Sequence, residues 1–324
     1  MISKEDIYKY SRQNSIGELS PWFEEQLARL VVNNFYPTVY ELQEMRLEII
    51  DQLQRYADEN KIYDIAIGVS GGVDSALTAA LFKEAGWRVL GVIMPIHQNP
   101  DETARGIETC ERLGIDSVVR DLTNIYDQML PQFEEWDPEG TLIRRGNLRV
   151  RLRMMTVYNE AARIGGCVGS TDNFSELAAG FWTLHGDVGD IGPIQTLNKS
   201  WEVPKLAEMM GVPESVVKAT PTDGLGISKS DEDQFGFTYL ELDIVLQALC
   251  LLFFRKEVGG INTALTALKV PQEDLDKVKR ILKRIKGSIF KRNNPFNLAH
   301  PSQPKMRCDG LKTLDHYLQL YQNT

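Results

Sequence analysis

No stretch of this 324-residue chain is apolar for long enough to cross a bilayer. The most apolar run, residues 244–254 (IVLQALCLLFF), is broken by Gln247 and falls short of the ~20 apolar residues a membrane helix needs. The opening residues, MISKEDIYKYSRQ, lack the apolar core of a secretory signal. Cysteine is sparse. Cys110, Cys167, Cys250 and Cys308 stand apart with no CxxC pair, which argues against a zinc site or a disulfide frame and fits a reducing compartment. Positive charge is in deficit: 36 Lys and Arg against 45 Asp and Glu give a net charge of −9. A general binder of nucleic-acid backbone is therefore not expected, although small anions held by a local basic cluster remain open. There is no internal repeat and no low-complexity tract, and 43% hydrophobic with 25% charged residues is the composition of a folded globular protein. The expectation is a cytoplasmic enzyme of small molecules, with neither nucleic acid nor membrane as partner.

Residues 39–60 carry Leu42, Met45, Leu47, Ile49, Ile50, Leu53 and Tyr56 at near-helical spacing. From Tyr63 the pattern changes to short apolar runs alternating with helical stretches. The runs 64–69 (DIAIGV), 88–94 (RVLGVIM), 116–122 (DSVVRDL) and 166–169 (GCVG) read as buried strands. Residues 75–85, 101–113 and 147–164 read as the helices between them. Such alternation predicts an α/β fold with a doubly wound parallel sheet. Ligands in these sheets lie beyond the carboxyl ends of the strands, which directs attention to the loops after Val69, Met94 and Gly169. Beyond Pro193, helices are predicted over 200–210, 213–219, 239–254 and 272–286, with a last short one near 311–321.

The first predicted strand runs directly into Ser70-Gly71-Gly72-Val73-Asp74-Ser75 and then into a helix. Two adjacent glycines let the backbone approach a ligand and present successive N–H groups, and the helix N-terminus adds its positive end. Ser70 and Ser75 add hydroxyl donors. Asp74 would repel a phosphate on its own, so it reads as a ligand of a Mg²⁺ ion bridging to phosphate oxygens. Neither GxxxxGK[ST] nor GxGxxG occurs. A simple Asp/Ser cap on a glycine turn is the alternative. The hexapeptide SGGVDS resembles the signature of the pyrophosphatase-loop enzymes, which cleave ATP between its α and β phosphates and adenylate a substrate oxygen.

Three further stretches narrow the substrate. In 146–154 (GNLRVRLRM) and the helix it opens, about 100° per residue puts Asn147, Arg151 and Tyr158 on one face, with Arg145, Arg149 and Arg153 on a second stripe. An amide, a guanidinium and a ring suit a nucleotide with a phosphate or carboxylate, whereas a solvated basic face is the alternative. Residues 169–176 (GSTDNFSE) follow a strand, and there Asp172 and Glu176 also fit as first-turn acids of a helix. Residues 183–199 (TLHGDVGDIGPIQTLNK) lead, after two helices, to 230–239 (SDEDQFGFTY), which also fits as a capping box before an apolar helix.

In combination, over residues 64–239, these stretches resemble the GNxxARxRM, GTxNxSE, TKYGDGGxDxxPL…TK and SDExxxGxxY segments of the ammonia-dependent NAD synthetases, in the same order. The resemblance implies an adenine nucleotide alpha hydrolase-like fold and a ligase that makes NAD from deamido-NAD, ATP and ammonia through an adenylated nicotinate. It implies ATP contacts at Gly68, Ser70, Gly71, Gly72, Asp74, Ser75, Thr171 and Lys199, and Mg²⁺ on Asp74 and Glu176. It places deamido-NAD on Asn147, Arg151, Tyr158, Asp187 and Asp190, and assigns catalysis to Lys199, Asp187 and Thr222. It further implies a homodimer meeting along the helix from Asn147, with ammonium rather than glutamine as nitrogen source. The polar stretch 220–230, with Gly224 and Gly226, is expected to close over the phosphates as a lid.

Departures are equally specific. Leu184 and His185 stand where the family has a basic and an aromatic residue, Ser170 replaces a glycine, and GDVGD is one residue short. Residues 1–60 read as an N-terminal helical extension, 61–255 as the core and 256–324 as a C-terminal helical segment and tail packed on it. A related adenylating amidase with another carboxylate substrate, or an ATP-binding protein with decayed catalysis, is the alternative.

Overall fold

The computed structural model describes residues 2–11, 18–136, 141–222 and 230–293. Three helices precede the sheet: α1 (Lys4–Ser11), α2 (Pro21–Val32) and α3 (Val39–Asn60). Then come β1 (Asp64–Gly68), α4 (Val73–Glu84), β2 (Arg88–Ile93), α5 (Pro100–Leu113), β3 (Asp116–Val119), α6 (Thr123–Trp136), α7 (Leu142–Ile164) and β4 (Cys167–Val168). The chain continues through α8 (Phe174–Ala179), α9 (Glu202–Met209), α10 (Glu214–Val217), α11 (Asp231–Phe235), α12 (Tyr239–Phe254), α13 (Ile261–Ala267) and α14 (Gln272–Gly287). Residues up to Ser288 form one compact unit and those from Ile289 a second, which opens with the 3-10 turn Ile289–Asn293.

The strands pair in parallel in the order β3-β2-β1-β4, with Ile65 opposite Val89 and Ala66 opposite Leu90 and Val168. Alternation along β1 sorts the two faces. Ile65, Ile67 and Val69 bury against Ile50 and Leu53 of α3, Leu77 and Phe82 of α4, and Leu206 of α9. Ala66, with Leu90 and Val92 of β2, buries against Tyr126 of α6 and Leu152 and Val157 of α7. Helices therefore cover both faces, as the predicted doubly wound sheet requires. Each fully buried Leu, Ile or Phe side chain here contributes about 1.5–3 kcal/mol.

A second apolar body lies outside the sheet. Trp22, Phe23 and Leu27 of α2 and buried Tyr36 pack with Trp201, Tyr239 and the apolar run of α12. That run is the stretch too short to span a membrane, and among the described residues no helix is long and apolar enough to do so. Cys110, Cys167 and Cys250 are free thiols.

Local chemistry sets the helix ends. Thr38 caps α3 in a reciprocal box with Glu41, and Thr141 accepts from the Arg144 N–H to start α7 five residues before Asn147. The predicted strand 116–122 stops at Val119; Arg120 N–H still donates to Ile93 O at 2.8 Å, and Asp121 then accepts from Thr123 N–H to start α6. SDEDQFG does not cap the apolar helix. Ser230 caps the five-residue α11, which ends at left-handed Gly236, and Thr238 with Glu241 forms the box that starts α12. The helix predicted near 311–321 lies outside the described residues.

Candidate active site

The loop after β1 is pre-shaped by its own hydroxyls. Gly72 N–H donates to Ser70 Oγ at 3.2 Å, Ser70 N–H donates to Ser75 Oγ at 3.2 Å, and Ser75 Oγ donates to Gly72 O at 3.0 Å. Gly71 sits at φ 85, and a Cβ there would fall 2.2 Å from Glu102 O, so the turn and the close approach of α5 both demand glycine. Two residues that the sequence did not single out hold the loop from outside: Gln98 Nε2 donates to Ser70 O at 3.3 Å and Arg105 Nε to Gly71 O at 3.2 Å. Thr222 reaches the same wall, donating to Glu102 Oε1 at 2.9 Å. Residues 223–229, most of the expected lid, lie outside the described residues.

Across the sheet end from this loop stand Lys199 and Glu176. Lys199 Nζ pairs with Asp74 and lies 3.8 Å from Glu176 Oε1. The three side chains are 8, 16 and 13% exposed for Lys199, Asp74 and Glu176, sheltered yet reachable. Burial alone would lower the Lys199 pKa, but the charges of Asp74 and Glu176 outweigh it and hold the ammonium charged. Burial, then the Asp74 charge, pushes the Glu176 carboxyl well above the usual range, with Lys199 opposing. Asn173 completes the knot: its Nδ2 donates to Asp74 Oδ1 at 2.9 Å and its Oδ1 accepts from Glu176 N–H at 3.0 Å. Glu176 is thus both the third residue of a capping box on α8, as its reading as a first-turn acid expects, and a neighbour of Lys199. Asp172 precedes the cap rather than entering the first turn, and it accepts from Ser170 Oγ at 3.0 Å. Tyr239 donates toward Glu176 at 3.5 Å and Asp231 at 3.3 Å, while Lys199 Nζ lies 5.6 Å over its ring.

A second cluster forms where α7 meets residues 183–190. Asn147 Oδ1 accepts from Thr183 Oγ1 at 2.9 Å, Arg151 donates to Leu184 O at 3.3 Å and Tyr158 donates to Asp190 Oδ1 at 2.8 Å. The predicted face is therefore one face, and all three residues address one loop. Asp187 Oδ1 takes the Thr183 N–H at 2.8 Å and Asp190 Oδ2 takes the Val168 N–H at 2.8 Å, so both acids tie the loop to its surroundings. Gly189 passes so close to β4 that a Cβ would fall 2.7 Å from the Ser170 nitrogen. His185 turns the loop with φ 55 and is exposed, as the residue after Leu184. Half-buried Thr171, in the loop after β4, and Gly68, at the end of β1, stand at the carboxyl edge of the sheet as expected. Each arginine of the other stripe has a partner: Arg145 pairs with Glu134 at 2.6 Å while staying 43% exposed, Arg149 lies 4.8 Å over the Tyr126 ring, and Arg153 donates to Met94 O at 3.0 Å.

Known proteins resemble this chain in sequence and fold. The family model for NAD synthase matches residues 45–295. The NH(3)-dependent NAD(+) synthetase of Methanococcoides burtonii is 36% identical over 253 residues, 76% of this chain and 91% of that protein. Among solved structures, an NH3-dependent NAD synthetase from Campylobacter jejuni superposes with a TM-score of 0.62 at 26% identity, covering 80% of this chain and 99% of that one. An NMN synthetase from Francisella tularensis superposes with a TM-score of 0.64 at 26% identity, covering 81% and 99%. With the match spanning most of its length, this chain belongs to the NAD synthase family.

Proposed function

We propose that this protein is an ammonia-dependent NAD synthetase, an ATP-consuming ligase that forms NAD from deamido-NAD. The observation that carries the mechanism is the meeting of Asp74, at the head of the phosphate loop's helix, with Lys199 and Glu176. A nicotinate carboxylate is a poor acylating agent. One of its oxygens attacks the α-phosphorus of ATP, the bond to the β-phosphate oxygen breaks, and pyrophosphate leaves. Ammonia then adds to the acyl carbon, AMP departs, and the nitrogen loses a proton to give the amide. Negative charge grows at the α-phosphate in the first step, where the 70–75 loop and the Lys199 ammonium stabilise it.

In this reading Gly68, Ser70, Gly71, Gly72, Ser75 and Thr171 hold ATP, and Thr222 joins them from the Glu102 wall. Asn147, Arg151, Tyr158, Asp187 and Asp190 hold deamido-NAD, the two acids by fixing the loop that the α7 residues address. Mg²⁺ fits the oxygen donors of Asp74 and Glu176. Two carboxylates converge on one cation here, and positive charge beside Glu176 favours its ionised form against burial and the Asp74 charge. Among the described residues no third acid, His or Cys joins them in a metal cluster, so phosphate oxygens and water would fill the remaining positions. When bound, the ion neutralises charge on the leaving pyrophosphate.

A homodimer accompanies this reading. Phe133 and Trp136 of α6 and Leu142, Ile143 and Met155 of α7 are exposed apolar side chains suited to burial against a second copy. We also keep 61–255 as the core, extended by residues 1–60 and 256–324, and the cytoplasm as its location. The deciding experiment supplies ATP, Mg²⁺, ammonium and deamido-NAD and follows NAD, AMP and pyrophosphate, which should appear in equal amounts. Ammonium-free glutamine should not replace ammonium. Nicotinate mononucleotide offered instead should turn over poorly; preference for it would reassign the substrate while keeping the chemistry.

A further inference from the structure

Lys199 is held from behind by groups that take no part in the cluster around it. Its backbone N–H donates to Ser175 Oγ at 2.9 Å, and Ser175 Oγ donates to Asp243 Oδ1 at 2.5 Å. The other oxygen of Asp243 accepts the Ser200 N–H at 3.1 Å. One buried carboxylate on α12 therefore ties the turn bearing Lys199 to the helix bearing Glu176. The next residue along is anchored to the N-terminal segment. Trp201 Nε1 donates to the Pro37 carbonyl at 2.8 Å, and its ring centroid lies 5.8 Å from that of Tyr10. Tyr36 is 1% exposed and buries its ring in the same apolar body as Trp201. Tyr10, Tyr36 and Pro37 all precede residue 45, where the family match begins.

We propose that Asp243, together with Pro37 of the N-terminal segment acting on Trp201, positions Lys199 between Asp74 and Glu176. The proposal rests on the reading that Lys199 acts at the phosphates. A lysine side chain has a long, rotatable stem, so the place of its ammonium is fixed only as firmly as the backbone beneath it. Asp243 holds that backbone from both sides, through Ser175 below residue 199 and the amide of residue 200. Its hydrogen-bond partners are the Ser175 hydroxyl and the Ser200 main-chain amide, so it acts through Lys199. The Pro37–Trp201 bond makes the segment before the family core a strut for the same turn.

Full-length Asp243→Asn and Trp201→Phe test this, with Lys199→Ala and the Asp243→Asn/Lys199→Ala double variant alongside. Displacing a reacting group by about 1 Å costs up to ~100-fold, so kcat for pyrophosphate release should fall roughly 10- to 100-fold in Asp243→Asn and several-fold in Trp201→Phe. KM for ATP should stay within about threefold, since ground-state binding is untouched. In the double variant Asp243→Asn should cost nothing further, because residues acting as one unit are not additive. A direct readout is acylation of Lys199 by an amine-reactive reagent, followed by peptide mass spectrometry with exposed Lys61 as reference. Lys199 should react several-fold faster in Asp243→Asn than in the parent at an unchanged melting temperature. Unchanged kcat and unchanged Lys199 labelling would overturn the proposal. So would a fall in kcat that multiplies with that of Lys199→Ala while the labelling stays constant. Full turnover by Lys199→Ala would instead sink the role given to Lys199, and the labelling would still decide whether Asp243 places it.

Discussion

Asn173 Nδ2 donates to Asp74 Oδ1 at 2.9 Å, joining the cap of α8 to the first turn of α4 across 99 residues of sequence. The same side chain caps α8 through its Oδ1. Asn173→Ser separates the two jobs, because serine caps a helix about as well as asparagine but is too short to reach Asp74. The changed cap alone should cost only a few tenths of a kcal/mol, so a fall in stability of up to about 1.5–3 kcal/mol reports the lost bond to the Asp74 carboxylate. Turnover should fall as well, because Asp74 loses the group that orients it. Thermal melts beside steady-state pyrophosphate release check this; equal turnover would mean Asp74 needs no orientation from Asn173.

Asp74→Asn and Glu176→Gln should both cut pyrophosphate release by about 100-fold or more, through lost charge at the metal and phosphate position. Their stabilities should diverge. Lys199 keeps its charge only by its acidic neighbours, so Asp74→Asn leaves a buried ammonium poorly paired and lowers the melting temperature. Glu176 is the more distant partner of Lys199, and burial with the Asp74 charge already disfavours its ionised form, so a glutamine there should cost less melting temperature than Asp74→Asn does. Parallel falls in melting temperature would contradict the electrostatics argued for the pair.

Arg151→Ala removes the guanidinium that reaches Leu184 O, on the α7 side of the site and away from the 70–75 loop. Deamido-NAD should bind roughly tenfold more weakly, as expected for a charge-assisted contact, while the KM for ATP is preserved. Titrations with each substrate alone distinguish this from a general loss of fold. A matched loss for ATP would place Arg151 at the phosphates instead.

What could be read in the sequence was whatever is local. DIAIGV followed by SGGVDS carries its own strand, turn and cap, and the α7 face follows from helical periodicity alone. α6 escaped although Ile125, Tyr126, Met129, Leu130 and Phe133 recur at helical spacing, because Pro131 sits within it and reads as a helix breaker. α1 escaped because it is short and polar. Asn173, Tyr239 and Asp243 were missed as a group for a different reason. Each looks like ordinary capping or core patterning in its own segment, and only the packing of α8 and α12 around Lys199 brings them together. Leu184 looked like a lost cation, yet its contribution in the fold is its carbonyl, which any residue supplies to Arg151.

Glu202 gives a prediction for pH. Its carboxyl is buried on α9 and accepts the Asn198 N–H at 2.7 Å, in the turn that carries Lys199. Burial pushes its pKa up to about 8 from an ordinary 4.5, with the Asn198 bond opposing and the Asp243 charge adding to the rise. Between those two values the folded protein holds a proton that the unfolded chain has released. Stability from this group is therefore complete below about pH 4.5 and drains as pH climbs to about 8, at up to about 1.4 kcal/mol per pH unit. Glu232, whose pKa burial also raises to about 8, adds a second proton of the same sign. Glu202→Gln keeps an acceptor for the Asn198 N–H but cannot ionise. Its unfolding free energy, measured in urea at pH 5, 6.5 and 8, should fall less steeply than the parent's by about one proton's worth of slope. The variant should overtake the parent in stability by pH 8. Identical slopes would mean that Glu202 is already ionised in the fold and that burial does not govern it.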